Sequence, residues 1–374
     1  MTIKFNTPTN IIIDYNATKY VKDFIKKLNA HKPLIITTKG RIKDGFIEKI
    51  ISQNKISSVD VFDGVVCEPT TKSVISCVNY VKKGDYDLLI GIGGGSTIDT
   101  TKIASVMATN KGKINDFVGM DKIDNPGIKT LMIPTTAGSG SEVTNIAVLM
   151  DEKDEIKRSI VSRYLFPTVA LVDPLLTVTL PKRITAYTGM DALTHAIESF
   201  VSKGSNIITD CISLEVVKII FNNLENAVRN GNDINTRYNL SVGSLMAGIA
   251  DTNAGVGAVH ALAYPLESVY RTPHGISNTI MLPYVLRFNY NSNISKFNIL
   301  KKIIGGDLID SILKLITTIE LPHSLAEINV KEEMLPNLAE KAMSYTRLLT
   351  NNPREIKIDD VLEIYKKALY GDYN

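Results

Sequence analysis

Short apolar runs alternate with amphipathic stretches over the first half of the chain. The apolar runs lie at residues 33–38 (PLIITT), 59–65, 87–91 (DLLIG), 130–134 (TLMIP) and 169–172 (VALV). Between several of them, residues 17–28 and 71–83 have the apolar spacing of helices that bury one face. Because buried parallel strands are continuously apolar and alternate with helices, this order predicts a parallel sheet with helices on both faces.

The pattern changes after residues 173–177 (DPLLT), and strand-like runs are nearly absent beyond them. Helical spacing follows at residues 186–201, 207–230, 239–252, 299–318, 334–346 and 359–370. Asp-Pro and Leu-Pro pairs mark the change, and such pairs are typical of loops. We therefore expect two domains, a nucleotide-type α/β domain over residues 1–178 and a helical domain over residues 179–374.

Composition narrows the class of protein further. The chain has 374 residues, of which 44% are hydrophobic and 22% charged, as in an ordinary soluble protein of about two domains. Its formal charge of +3 and its lack of long basic runs predict no nucleic-acid partner and no acidic-membrane partner. The polar N-terminus predicts no signal peptide, and no apolar stretch approaches the roughly 18 residues of a membrane span. Three cysteines without metal-knuckle spacing suit a reducing cytoplasm.

Two loops rich in glycine and hydroxyl groups each follow an apolar run. The first, GGGS at residues 93–96, precedes a helical pattern; it fits either a tight turn or a pyrophosphate site at a helix N-terminus. It matches neither the G-x-G-x-x-G pattern nor a P-loop. The second, IPTTAGSGSEVTN, spans residues 133–145. Ligands of open α/β sheets bind beyond the carboxyl ends of the strands, so two such loops favour a bound nucleotide over two unrelated turns.

Asp191 and His195 lie four residues apart in the apolar stretch GMDALTHAIESF, residues 189–200. On a helix their side chains share one face, about 6 Å apart. His260 lies in a second apolar run, and His274 follows fourteen residues later. Any one of these histidines could be a packed core residue with a hydrogen-bond partner. One carboxylate and three imidazoles together suit Fe²⁺ or Zn²⁺ with an open position, and they do not suit Mg²⁺ or Ca²⁺.

Five segments carry a resemblance to a known family. They are GGGSTIDTTK (93–102), PTTAGSGSEVTN (134–145), VALVDP (169–174), GMDALTHAIE (189–198) and the run from His260 to PHG at 273–275. In this order and spacing, across roughly residues 10–370, they resemble the iron-containing (group III) alcohol dehydrogenases. The resemblance implies a Rossmann-like α/β domain and an all-α C-terminal domain, the dehydroquinate-synthase-like architecture, with a cofactor in the cleft between them.

The resemblance also implies roles for individual residues. The implied metal ligands are Asp191, His195, His260 and His274. The implied cofactor-binding residues are Thr38, Gly94, Gly95, Ser96, Thr135, Thr136, Thr144 and Lys157. Among them, the residues at 94–96 would bind the pyrophosphate and Lys157 would reach the ribose region. Spacing alone favours a solvated loop charge for Lys157.

At two positions near the ligands the chain departs from the family pattern. Tyr264 stands where many members have a histidine to which a proton-relay role is given. A tyrosine hydroxyl has a reference pKa near 10 and therefore relays protons poorly at neutral pH. Tyr264 either lines the substrate pocket, with a catalytic contact there, or is a packing residue. Glu267 stands where glycine is common, which alters the pocket wall. Arg271 could bind a carboxylate or phosphate of the substrate, but it is rather expected at the rim or on the surface.

Two further departures concern the choice of cofactor. Thr38 and Lys39 follow the run PLIIT where an acidic residue often binds the ribose. Without that carboxylate a 2′-phosphate is tolerated, so we expect NAD(P) with a slight lean to NADP. Glu68 replaces a common asparagine before Pro69, and its charge argues against that lean.

The predicted function is a metal-dependent, NAD(P)-linked alcohol dehydrogenase or aldehyde reductase acting on a small alcohol, diol or aldehyde. Fe²⁺ or Zn²⁺ would act as a Lewis acid on the substrate oxygen, and hydride would pass between the carbinol carbon and the nicotinamide. The alternatives are a polyol or glycerol-type dehydrogenase, a dehydroquinate-synthase-like lyase, and a non-catalytic nucleotide- or metal-binding protein. A cytoplasmic homodimer or higher homo-oligomer is expected.

Overall fold

The computed structural model describes residues 2–56 and 58–373. They form two compact units. The α/β unit consists of Thr7–Thr136 and Gly140–Val178, and the helical unit consists of Met1–Asn6, Ala137–Ser139 and Thr179–Asn374.

A six-stranded parallel sheet organises the α/β unit, in the order β1-β9-β6-β4-β2-β3. Its strands are β1 (Asn10–Ile13), β2 (Pro33–Ile36), β3 (Asp60–Phe62), β4 (Leu88–Gly93), β6 (Lys129–Pro134) and β9 (Val169–Val172). Strands β2, β4 and β9 are buried along their whole length, as continuous apolar runs in a doubly covered sheet require. The predicted parallel α/β domain is confirmed.

Among the described residues of this unit, five helices accompany the sheet: α1 (Val21–Lys27), α2 (Lys39–Lys43), α3 (Phe46–Gln53), α4 (Thr71–Gly84) and α5 (Gly95–Thr109). Helix α4 begins at a capping box, in which Thr70 and Ser73 satisfy each other's backbone N–H groups. The helix expected over 17–28 is shorter, because its first turn, Ala17–Tyr20, is a 3-10 helix. Helix α5 packs tightly on β4: a Cβ at Gly93 would lie 2.3 Å from Oγ1 of Thr97.

A second sheet was not predicted from the sequence. It contains β5 (Gly119–Met120), β7 (Ile146–Asp151) and β8 (Ile156–Val161), in the order β5-β8-β7. Strands β7 and β8 form an antiparallel hairpin around the charged residues 152–155. Strand β1 was missed as well; all four of its residues are exposed or only half-buried, so its apolar run is short and isolated.

Ten helices build the helical unit, and no strand lies among its described residues. They are α6 (Lys182–Val201), α7 (Ile207–Arg229), α8 (Ile234–Ala254), α9 (Ala258–Tyr270), α10 (His274–Asn289), α11 (Ile294–Ile304), α12 (Leu308–Thr318), α13 (Leu335–Met343), α14 (Thr346–Asn351) and α15 (Ile358–Tyr370). The predicted all-α character is confirmed. Within the described ranges, no helix combines the length and the apolarity needed to span a bilayer.

The predicted bounds of two helices in this unit were wrong. The single helix expected over 299–318 is two helices, α11 and α12, because Gly305 adopts a left-handed conformation with φ 81° and ends the first. The helix expected over 334–346 ends at Met343, and α14 begins after Tyr345. Apolar spacing alone continues across such breaks, since the next helix buries an apolar face of its own.

Candidate metal centre and nucleotide loops

Helix α6 holds Asp191 and His195 in the interior of the helical unit. Every residue from Gly189 to Val201 is buried, since α6 packs against α7, α8 and α10. The two side chains lie one helical turn apart on the same face. A carboxylate and an imidazole are thus placed in a core where unpaired polar groups are costly.

His260 and His274 reach the same point from α9 and α10. Only residues 271–273 separate these helices, and Arg271 turns the chain with a left-handed φ of 56°. As a result the imidazole centroid of His260 lies 5.2 Å from that of His274 and 4.6 Å from that of His195.

The structure therefore brings together one carboxylate and three imidazoles from three helices. We call this group the Asp–His cluster: Asp191, His195, His260 and His274. One possible ligand atom from each residue lies within 4.8 Å of those of the others. The side chain of His274 is 24% exposed whereas the other three are buried, so the cluster opens to solvent at His274.

The amide of Asn278 shows that the donor atoms converge. Its Nδ2 atom lies 2.9 Å from Oδ1 of Asp191 and 3.2 Å from Nε2 of both His260 and His274. An amide nitrogen has two hydrogens, so it cannot satisfy three acceptors at once. A divalent cation can accept lone pairs from all of them, and the mixed carboxylate and imidazole set suits Fe²⁺ or Zn²⁺. The residues present therefore fit the metal.

The Nδ1 atom of each imidazole in the cluster lies within hydrogen-bond distance of an oxygen atom. For His195 the partner is the backbone carbonyl oxygen one turn earlier, at 2.8 Å. For His260 it is Oε2 of Glu198 at 2.6 Å, and for His274 it is Oε1 of Glu267 at 2.7 Å. A backbone carbonyl only accepts, so Nδ1 of His195 donates its proton and its Nε2 keeps its lone pair for a ligand. When Glu198 and Glu267 accept from Nδ1 in the same way, Nε2 of His260 and of His274 also keeps its lone pair.

The electrostatics favour an ionised aspartate and a neutral imidazole. Burial raises the pKa of Asp191, but the electrostatic influence of the three neighbouring histidines and the hydrogen bond from Asn278 outweigh it and leave that pKa below its ordinary value. Burial, together with the neighbouring histidines, holds the pKa of His260 well below its usual range. Burial also raises the pKa of Glu198 to about 7. Asp191 and His260 are thus in the protonation states that bind a cation.

Tyr264 packs beside the cluster as an aromatic wall. It follows His260 by one turn of α9 and is buried. Its ring meets that of His260 edge-on at 6.3 Å and lies 5.8 Å from that of His274. A second edge-on contact at 5.0 Å joins it to Tyr345. Arg271 is exposed, as expected for a rim residue.

Three of the predicted cofactor segments lie at one edge of the parallel sheet. Thr38 follows β2, residues 94–96 follow β4, and Thr135 and Thr136 follow β6; these three strands are neighbours and run in the same direction. The backbone N–H of Thr135 donates to the carbonyl of Gly93 at 2.9 Å. Gly94 faces Thr136 so closely that a Cβ there would lie 3.3 Å from its hydroxyl. The two loops are therefore in contact at the N-terminus of α5.

A buried lysine ties the second loop to α5. The Nζ atom of Lys102, which is 1% exposed, donates to Oγ1 of Thr144 at 2.9 Å and to the carbonyl of Ile146 at 2.7 Å. One turn earlier, Asp99 accepts a short hydrogen bond from the hydroxyl of Ser141. The hydroxyl of Thr144 is thus engaged inside the protein, and a contact of this residue with a cofactor stays a prediction.

Lys157 is neither a solvated charge nor far from the glycine loop. It lies on β8, is 7% exposed, and forms an ion pair with Glu68. The backbone N–H of Glu68 donates to Oγ of Ser96 at 3.2 Å. Glu68 adopts a left-handed φ of 52°, a conformation that asparagine adopts more readily than glutamate. The departure at this position thus gives Lys157 a carboxylate partner, on a residue whose backbone contacts the glycine loop at Ser96.

Three partners of the cluster were not predicted from the sequence: Glu198, Glu267 as a hydrogen-bond acceptor, and Asn278. A spacing signal existed for all three. Glu198 follows Asp191 by seven residues, Glu267 follows His260 by seven and Asn278 follows His274 by four, so each shares a helical face with a ligand-type residue.

Fold and site together define a class of protein. A parallel α/β unit carries two loops suited to a nucleotide, and a helical unit carries a site suited to a catalytic divalent metal. This combination is that of a metal-dependent enzyme that uses a nucleotide cofactor.

Comparison with known proteins identifies the family. The family model "Iron-containing alcohol dehydrogenase" matches residues 8–174, and the model for the C-terminal part of the Fe-containing alcohol dehydrogenase family matches residues 185–369. Long-chain-alcohol dehydrogenase 1 of Geobacillus thermodenitrificans (strain NG80-2) is 35% identical over 364 residues, which cover 93% of this chain and 92% of that protein.

Two solved structures agree with this result. A crystal structure of 1,3-propanediol oxidoreductase superposes with a TM-score of 0.94 at 32% identity, over 99% of this chain and all of the other. Sulfoacetaldehyde reductase from Bifidobacterium kashiwanohense, solved in complex with NAD⁺, superposes with a TM-score of 0.91 at 30% identity, over 98% of this chain and 99% of the other.

The chain belongs to the iron-containing alcohol dehydrogenase family. It is an oxidoreductase that acts on an alcohol or aldehyde, which confirms the main prediction and decides against the lyase and the non-catalytic alternatives.

Proposed function

We propose that the Asp–His cluster holds the catalytic divalent metal of an NAD(P)-linked alcohol dehydrogenase or aldehyde reductase. The observation that carries this proposal is the convergence of one carboxylate and three imidazoles, with ligand atoms within 4.8 Å of one another. Iron is the metal that the family name supports, and the donor set accepts Zn²⁺ as well. In this proposal residues 179–374 are the metal-binding domain and residues 1–178 the dinucleotide-binding domain.

When bound, such a metal polarises a carbonyl oxygen or lowers the pKa of an alcohol. The chain's own residues do the rest of the work. Glu198 keeps the proton of His260 on Nδ1, the backbone carbonyl of Asp191 does the same for His195, and the exposed side of His274 admits a small substrate. Tyr264 is proposed to line this entrance, with a catalytic contact to the substrate as the role to be tested.

The glycine loop at residues 94–96 is proposed to bind the cofactor pyrophosphate at the N-terminus of α5, where backbone N–H groups and the helix dipole favour an anion. Thr135 and Thr136 adjoin this loop, which supports a role for them in cofactor binding. Thr38, at the same sheet edge, is proposed to bind the cofactor ribose. Lys157 is proposed to contact the cofactor next to Ser96, and Thr144 is a further candidate for cofactor binding.

The proposed cofactor is NAD(P), and the NAD⁺ complex of the similar sulfoacetaldehyde reductase supports a nicotinamide dinucleotide. Lys39 is exposed beside Thr38 and supports tolerance of a 2′-phosphate. Measuring kcat/KM with NADH and NADPH tests the slight lean to NADP. A Lys39→Ala variant should lower kcat/KM for NADPH about tenfold and leave that for NADH unchanged; a wild-type preference for NADH above tenfold contradicts the lean.

The substrate is proposed to be a small alcohol, diol or aldehyde, as the name of the similar 1,3-propanediol oxidoreductase suggests. Anaerobic purification, metal analysis and a screen of short alcohols and aldehydes with both cofactors test this function. We expect about one divalent metal per chain and net consumption of reduced cofactor with at least one aldehyde. Metal-free protein that is fully active, or metal-loaded protein inert to every aldehyde, contradicts the proposal.

We also propose a homodimer or higher homo-oligomer in the cytoplasm. Exposed apolar side chains such as Met120 and Ile207, 59% and 66% exposed, offer surface that a second copy can cover. The three cysteines are free, which supports a reducing compartment. Light scattering after size-exclusion chromatography measures the mass directly, and a monomer of 41.1 kDa would contradict the proposed assembly.

A further inference from the structure

Glu267 is a buried carboxylate in direct contact with a proposed metal ligand. It is 1% exposed on α9 and follows His260 by seven residues, two helical turns, so the two share a face of the helix. Its Oε1 atom lies 2.7 Å from Nδ1 of His274, the first residue of α10. The contact joins the end of α9 to the start of α10 across the turn at residues 271–273.

A second contact of the same kind exists in the same site. Oε2 of Glu198 lies 2.6 Å from Nδ1 of His260, and Glu198 is also buried. In both pairs the carboxylate meets Nδ1 while Nε2 lies 3.2 Å from the amide of Asn278, on the side where the donor atoms converge. Each of the two imidazoles is therefore oriented in the same way, by a buried carboxylate in contact with its Nδ1 atom.

The arrangement has a physical consequence for His274. A carboxylate acceptor keeps the proton on Nδ1, fixes the plane of the ring, and increases electron density at Nε2. His274 has the most exposed side chain of the cluster, at 24%, and it is the first residue of α10. Without an acceptor at Nδ1, the ring could rotate or adopt the tautomer that offers Nε2–H to the metal.

We propose that Glu267 is a positioning residue that holds the imidazole of His274 with Nε2 toward the metal, as Glu198 does for His260. The proposal rests on the metal site proposed above. Loss of such a carboxylate partner typically lowers metal affinity 10- to 100-fold.

Binding of Co²⁺, measured by competition with a chelator, and the visible spectrum of the Co²⁺-loaded protein test this role. Glu267→Ala should lower Co²⁺ affinity about 10- to 100-fold and shift the visible bands, because the orientation of one ligand changes. Glu267→Gln keeps an oxygen that can accept from Nδ1 but removes the charge, so its affinity should fall about 3- to 10-fold. Circular dichroism reports on folding, and Glu267→Gln decides the question if the alanine variant does not fold.

Two further variants make the result specific. Glu327→Gln is the matched control, since Glu327 pairs with the half-buried His323 at 3.6 Å outside the site, and it should leave Co²⁺ binding unchanged. His274→Ala should lower affinity by more than 100-fold. One outcome would contradict the proposed role of Glu267 and leave the metal site intact. In it, Glu267→Ala (or Glu267→Gln, if the alanine variant does not fold) binds Co²⁺ within twofold of wild type and with the same spectrum, whereas His274→Ala loses Co²⁺ binding. If His274→Ala also binds normally, the metal site and this inference both fail.

Discussion

At the scale of single residues, Glu142 is a buried carboxylate outside the Asp–His cluster. Glu142 is 3% exposed in the loop after β6, and burial raises its pKa to about 7 despite the nearby charge of Lys102. In the unfolded chain the same carboxyl has its ordinary pKa near 4.5. Between these values the folded state keeps a proton that the unfolded state has lost, so stability falls as the pH rises from about 4.5 to 7.

Glu142→Gln should remove this dependence, because an amide cannot ionise. We compare the free energy of unfolding of the variant with that of the wild type at each pH. The difference should favour the variant by on the order of 1–3 kcal/mol more at pH 8 than at pH 5. Urea unfolding followed by circular dichroism at the two pH values measures the difference. The exposed Glu152→Gln is the control. An equal effect of the two substitutions at both pH values would show that Glu142 is not a buried titrating group.

Residue spacing predicted part of the metal centre and not the rest. Asp191 and His195 could be paired from their four-residue separation, because helical geometry puts them on one face. The spacing does not show that α9 and α10 bring His260 and His274 close to this pair. Only the family resemblance placed all four residues in one metal site. The acceptors Glu198 and Glu267 were missed as partners because a glutamate on a helix usually lies in solvent, and only the fold shows these two in the core.

At the scale of secondary-structure elements, the contact between α6 and α10 sets the position of His274. A Cβ added at Gly275 would lie 2.2 Å from the backbone carbonyl oxygen of Tyr187 on α6, which cannot move as a flexible side chain can. A glycine is therefore required for the two helices to approach each other next to a cluster residue.

Gly275→Ala should force α10 away from α6 and move His274 from the other ligands. We expect a loss of about 2 kcal/mol or more in stability and a decrease in metal affinity of at least tenfold. Gly306→Ala serves as the control, since its Cβ would meet only the hydroxyl of Ser311, at 3.0 Å. Thermal unfolding and metal titration measure both effects, and a Gly275→Ala protein with native metal affinity would refute the role of this contact.

Elements were predictable where burial gave them an uninterrupted pattern. The run at residues 169–172 is β9 without a change of boundary, and the central strands and α4 were placed to within two residues. The β7–β8 hairpin was missed because it lies between a glycine-rich loop and the charged turn 152–155. Local pattern does not show that such a segment pairs with β5, which lies far away in sequence.

At the scale of the whole molecule, the proposed metal belongs to one of the two units. A ligand that binds the folded state stabilises it by about 2.7 kcal/mol when its free concentration is 100 times its dissociation constant. All residues of the Asp–His cluster lie in the helical unit, so removal of the metal should loosen the helices that carry them.

Chelation should therefore increase hydrogen exchange in peptides from α6, α9 and α10, and it should leave β4 and α5 protected as before. Hydrogen exchange followed by mass spectrometry, with and without chelator, measures this directly. Equal loss of protection in β4 and α5 would contradict a metal site confined to the helical unit.

The Asp–His cluster is central to the proposed function, because the reaction depends on the metal that the cluster is proposed to hold. The most direct test is His260→Ala, in which metal content and aldehyde reduction are measured on the same anaerobic preparation and circular dichroism verifies the fold. We predict about one metal per chain in the wild type, and in the variant a loss of nearly all metal together with a fall in kcat/KM of at least 100-fold. A folded His260→Ala protein that keeps both its metal and its activity would contradict this role of the cluster.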